Sequence, residues 1–82
     1  MVVLEFSPKF EKTIKKIRDQ DLKDKLKKQI EKIINNPETG KPMKYARKGT
    51  REVYIPPFRL SYSYLRNKYK IIFLALYHKD EQ

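Results

Sequence analysis

The apolar positions change period partway along the chain. Val2, Leu4 and Phe6 alternate with their neighbours, as in a short strand that turns one face to a core. Ser7-Pro8 is a helix-start signal: the serine is placed to accept a backbone N–H, and the proline presets φ at the first helical position. Beyond it Phe10, Ile14 and Ile17 recur at helical spacing, with Lys9, Lys12, Lys16 and Arg18 on the other faces. Asp19-Gln20-Asp21 interrupts the pattern, and Asp21 is placed to cap a second helix whose stripe is Leu22, Leu26, Ile30 and Ile33. Asn35-Asn36-Pro37 ends it. Two amphipathic helices on so short a connection form an antiparallel hairpin, and their stripes need a common surface to cover.

From Met43 onward the period is that of strands. Asn36-Pro37-Glu38-Thr39-Gly40 is turn chemistry, and Gly49, Pro56 and Pro57 punctuate the β half of the chain. Residues 51–55 and 58–64 read as two strands around Pro56-Pro57. On the second, Phe58, Leu60, Tyr62 and Tyr64 share one face and Arg59, Ser61 and Ser63 the other, so helices covering the aromatic side leave Arg59 open. Arg66-Asn67-Lys68 turns the chain. Tyr69 to Tyr77 is apolar on both alternations, Ile71, Phe73 and Ala75 on one and Ile72, Leu74 and Leu76 on the other, as an interior strand requires. The expected architecture is α+β: an N-terminal strand and an antiparallel two-helix hairpin packed on one face of an antiparallel sheet, in one domain spanning 1–82.

Composition narrows the function. With no cysteine and a single histidine, neither a thiolate zinc site nor an imidazole-rich one is available, so neither a metal nor another cofactor is expected. No apolar run approaches the roughly 20 residues of a membrane span, and the N-terminus becomes charged too soon for a secretory signal, which points to a cytoplasmic protein without a membrane partner. Twenty Lys and Arg against ten Asp and Glu give a formal net charge of +10, a field that attracts polyanions, with nucleic acid first among them.

The basic residues of the β half carry the candidate chemistry. Arg51 and Arg59 are expected to share the uncovered face across Pro56-Pro57, with His78 and Lys79 approaching from the neighbouring strand end. Guanidinium groups bind phosphate in pairs of contacts, and tyrosine rings such as Tyr54 and Tyr77 stack on unpaired bases. RNA cleavage suits such a set, since the 2′-hydroxyl is a built-in nucleophile and the protein needs only a base, charge stabilisation and an acid. Lys48 or Lys44 is a candidate base, because clustered positive charge lowers a lysine pKa, and Arg47 and Arg66 extend the cationic surface.

In this order the pieces resemble the RelE/ParE toxin superfamily, in particular its archaeal branch. The resemblance rests on the strand, the Ser-Pro-initiated basic helix hairpin, the run Gly49-Thr50-Arg51-Glu52-Val53-Tyr54-Ile55-Pro56-Pro57-Phe58-Arg59-Leu60-Ser61-Tyr62, and the closing apolar strand ending Tyr77-His78-Lys79. It implies a ribosome-dependent endoribonuclease that cuts messenger RNA in the A site, inhibits translation and is held inactive in a hetero-oligomer with a RelB-like antitoxin. Carried over, it makes Arg59 the phosphate-stabilising arginine and puts Lys48, Arg51 and Lys79 where that family keeps basic catalytic residues. Many relatives also carry a tyrosine after the last strand, for which Tyr77 or His78 would stand in here. The same fold serves ParE-like relatives that inhibit DNA gyrase, and a catalytically weak module that binds antitoxin or RNA is a third reading.

Overall fold

The computed structural model describes residues 2–43 and 49–81. Ser7 begins the first helix as expected. Its hydroxyl accepts the Phe10 N–H at 3.0 Å, Pro8 occupies the first turn, and α1 runs over Pro8–Lys16 after strand β1, Val3–Phe6. The cap of α2 (Gln20–Asn35) is Asp19 rather than Asp21. The Asp19 carboxylate accepts the backbone N–H groups of Asp21 and Leu22, which leaves Asp21 inside the first turn, where its charge still complements the helix dipole.

Three further strands carry the β half: β3 (Thr50–Ile55), β4 (Phe58–Leu65) and β5 (Lys70–His78), preceded by the two-residue β2 (Lys41–Pro42). The sheet order is β1-β5-β4-β3-β2. Its pairs are antiparallel except β1 with β5, which run parallel, so the sheet is mixed rather than wholly antiparallel. The meander from β3 to β5 leaves one side of β5 unpaired, and the N-terminal strand fills it in the same direction. Tyr69 does not belong to that last strand: it is exposed and takes a left-handed conformation (φ 48°) that closes the 3₁₀ turn Arg66–Lys68.

The helix hairpin covers one face. Phe10 from α1, Leu26 and Ile33 from α2, Ile55, Leu60, Tyr62, Ile71, Phe73 and Leu76 form the buried core, with Ile14, Ile17, Leu22 and Ile30 packed against it. Phe6, Phe10 and Phe73 stack on one another as a trio, with ring centroids 5.8 Å (Phe6–Phe10), 5.6 Å (Phe10–Phe73) and 5.4 Å (Phe6–Phe73) apart. Leu76 enters this core, and Ala75 does not, because β5 carries a bulge. Ser61 pairs with Ala75 but the next residue, Tyr62, pairs with Phe73, so Leu74 is left over and the alternation of faces reverses beyond it. The Leu74 carbonyl accepts the Ser7 hydroxyl at 2.7 Å, tying the bulge to the cap of α1.

One buried phenol anchors the turn after α2. The Tyr62 hydroxyl donates to the Pro37 carbonyl at 2.8 Å and accepts the Gly40 N–H at 2.9 Å. Burial pushes this phenol above its ordinary value of 10.0, outweighing the downward pull of the Gly40 N–H and the Arg51 charge. An acid with a raised native pKa lends stability that is fully present below the ordinary value and is lost as pH rises through the native one. Tyr62→Phe should cost about 1–3 kcal/mol at neutral pH, because it strands the Gly40 N–H and the Pro37 carbonyl. It should also flatten part of the alkaline loss, so urea midpoints of wild type and variant at neutral and strongly alkaline pH test both effects.

Candidate functional site on the open sheet face

The register of β3 and β4 decides which residues share a face. Ile55 pairs with Phe58 directly across Pro56-Pro57, so Tyr54 pairs with Arg59, Glu52 with Ser61 and Arg51 with Tyr62. Tyr62 lies in the core, so Arg51 is on the helix-covered face and Arg59 on the open one. The expected cluster of Arg51 with Arg59 is therefore not formed: the two are on opposite sides of the sheet, and side-chain parity is the reason. Arg51 instead donates through Nη1 to the Glu38 carbonyl at 3.0 Å and the Gly40 carbonyl at 2.7 Å.

On the open face Arg59 has Glu52 as its partner. Its Nη1 donates to Glu52 Oε1 at 3.1 Å, and Tyr77 donates its hydroxyl to the other carboxylate oxygen at 2.9 Å. Tyr77 reaches this face because of the bulge, which pairs it with Arg59. The same reversal sends His78 to the covered face, where it meets Phe58 edge-on at 5.6 Å. Its Nδ1 lies 3.2 Å from the Asp80 backbone nitrogen, which donates to it, and 3.5 Å from the Asp80 carboxylate. His78 is thus separated from Arg59.

Lys79 lies in the 3₁₀ turn after β5. Its backbone N–H donates to the Pro57 carbonyl, so it sits at the same end of the sheet as Arg59, with its side chain exposed. Arg66 is at the other end, in the turn between β4 and β5. Lys44, Arg47 and Lys48 lie outside the described residues.

The residues that do gather around Arg59 include Glu52, which the sequence pattern did not single out. A cleft of about 270 Å³ is lined by Lys41, Glu52, Val53, Tyr54 and Arg59, and Lys41 pairs with Glu52 in the ladder. Tyr54 is half exposed at 51%. About a third of the Arg59 side chain remains accessible, 34%, against 19% for Glu52. Glu52 takes only one N–H of a guanidinium that has five, so the group can still hold a phosphate oxygen pair. Glu52 was detectable from sequence: with two turn residues at Pro56-Pro57, its parity matches that of Arg59.

The comparisons with known proteins bear on the fold and the family. Residues 4–82 match the family model for the ParE toxin of the type II toxin–antitoxin system, parDE. No curated protein matches the chain. Among solved structures, the chain is similar to the E. coli RelBE toxin–antitoxin complex at a TM-score of 0.82 and 15% identity, covering 95% of this chain and 96% of that one. It is similar to YafQ from E. coli at a TM-score of 0.77 and 24% identity, with 98% and 96% covered. The RelBE2 toxin–antitoxin complex of Mycobacterium tuberculosis matches at 0.75 and 18%, with 95% and 98% covered. No helix among the described residues is long and apolar enough to cross a membrane. With a match over all but the first three residues and a RelE-like fold, the chain belongs to the ParE toxin family of type II toxin–antitoxin systems.

Proposed function

We propose that the chain is an endoribonuclease toxin that cleaves messenger RNA on the ribosome and is neutralised by a RelB-like antitoxin in a hetero-oligomer. The observation that carries this reading is Arg59: a partly accessible guanidinium on the bare sheet face, set beside a carboxylate, a lysine and two tyrosines. The 2′-oxygen of one nucleotide attacks the adjacent phosphorus, its proton passing to Glu52, while Arg59 takes up the negative charge that builds on the phosphoryl oxygens. The bond from phosphorus to the 5′-oxygen breaks, and that oxygen takes a proton from Lys41, opposite Glu52 in the ladder, or from water. Tyr54 and Tyr77 offer rings for the flanking bases. Lys79, at the same end, adds charge along the strand.

Such a site relies on its partner to orient the RNA, because alignment can supply much of the rate and a cleft of about 270 Å³ is small. Purified protein should therefore cut free RNA poorly and ribosome-bound message well. Expressing the chain and mapping messenger RNA ends checks this: cuts inside codons support the reading, and unbroken message during growth arrest removes it. A second reading, inhibition of DNA gyrase, is favoured by the ParE family match and by the separation of Arg51 and His78 from Arg59. It predicts lost supercoiling with purified gyrase and intact messages.

A further inference from the structure

A second cationic site lies on the other side of the sheet. On the helix-covered face, at the far end of the β3–β4 hairpin from Pro56-Pro57, a cavity of about 550 Å³ opens among Glu38, Arg51, Tyr64, Arg66, Asn67 and Lys68. That volume falls in the range of roughly 300–1,000 Å³ typical of small-ligand sites. Three cations face one carboxylate. Arg66 pairs with Glu38, but Arg51 is held by two backbone carbonyls, so among the described residues no acidic side chain offsets its charge. Lys68 is exposed and likewise has no ion pair among the described residues. Tyr64 contributes a half-buried ring.

We propose that this cavity binds one nucleotide unit of a single-stranded RNA, its phosphate between Arg51, Arg66 and Lys68 and its base against Tyr64. Guanidinium forks suit phosphate oxygens, and a tyrosine face accepts any base. The fixed guanidinium of Arg51 makes the site more than a patch of mobile charge, since its position is set before the ligand arrives. Along β4 the site runs from about 10 Å (Arg51, opposite Tyr62) to about 17 Å (Tyr64) from Arg59 and lies on the opposite face, so it stands independently of the cleavage reading.

The test uses the full chain carrying Arg59→Ala, which keeps cleavage out of the measurement, and a fluorescent single-stranded oligouridylate read by anisotropy. Arg66→Ala/Lys68→Ala should weaken binding by about tenfold or more and reduce its salt dependence, since phosphate contacts are lost. Lys27→Ala/Lys28→Ala, exposed on α2, removes the same charge elsewhere and should change affinity by less than about threefold. Tyr64→Leu should weaken binding without changing the salt slope. AMP competition separates the sources: displacement through the Arg66 and Lys68 site means a free nucleotide suffices, and none means the strand itself is required. Equal losses in the two double variants would overturn the proposal, because only net charge would matter. So would an acidic polyglutamate peptide whose affinity depends on Arg66 and Lys68 more than that of the RNA does.

Discussion

Arg59→Ala is expected to abolish growth arrest while leaving a folded protein, with cleavage of ribosome-bound message reduced about 10²–10³-fold. The magnitude is that of deleting one group that stabilises charge in the transition state. The fold should tolerate the change: Arg59 is on the face without helices, and its pair with Glu52 is partly solvated, worth about 1 kcal/mol or less. Glu52 keeps the Tyr77 hydroxyl and gains access to water when the arginine is removed. Arg59→Lys separates charge from shape. A lysine holds the charge but lacks the fork, so it should recover only part of the activity if two phosphate oxygens are gripped together. Growth after induction, end mapping and circular dichroism together decide the matter, and a folded Arg59→Ala variant that still arrests growth would remove Arg59 from the site.

Gly40→Ala should be the most damaging small substitution in the turn, lowering stability by about 3 kcal/mol and the melting temperature by roughly 10–20 °C. An added Cβ would stand 2.6 Å from the Tyr62 hydroxyl oxygen and 2.8 Å from a ring carbon. The ring has nowhere to go: Tyr62 is wholly buried, packed against Phe73, and held by Pro37 and Gly40 through its hydroxyl. Relief must come from the turn, which breaks one or both of those bonds. The effect reaches further than the core, because the carbonyls of Glu38 and Gly40 also hold Arg51 in place. Thermal unfolding measures the loss. In combination with Tyr62→Phe the cost should be less than additive, since removing the hydroxyl removes part of the clash. A full additive loss would mean that the ring and the glycine do not press on each other.

The site is legible in the sequence to the extent that it depends on local parity. Phe58, Leu60 and Tyr62 mark the covered face of β4 and so place Arg59 on the bare one, as found. The same parity, carried across Pro56-Pro57, separates Arg51 from Arg59 and brings Glu52 and Tyr54 to Arg59. Charge type suggested the opposite grouping, because two arginines near one turn look like a pair until the register is traced. His78 and Tyr77 could not be sorted by alternation, since the bulge at Leu74 exchanges their faces and nothing in the apolar run of β5 marks it.

The set of elements was therefore determined by the sequence alone: the Ser7-Pro8 cap, the two apolar stripes, the turn at Asn36–Gly40 and the three long strands, each specified by interactions a few residues apart. Family membership was legible for the same reason, as an ordered series of local signals. The tertiary structure decided what depends on partners distant in the chain: the parallel pairing of β1 with β5, the bulge tied to Ser7, and the clasp of Tyr62 on Gly40. It also divided one expected basic cluster between two faces. Residue type says which groups can bind phosphate, but only strand pairing across the sheet says which of them can bind the same one.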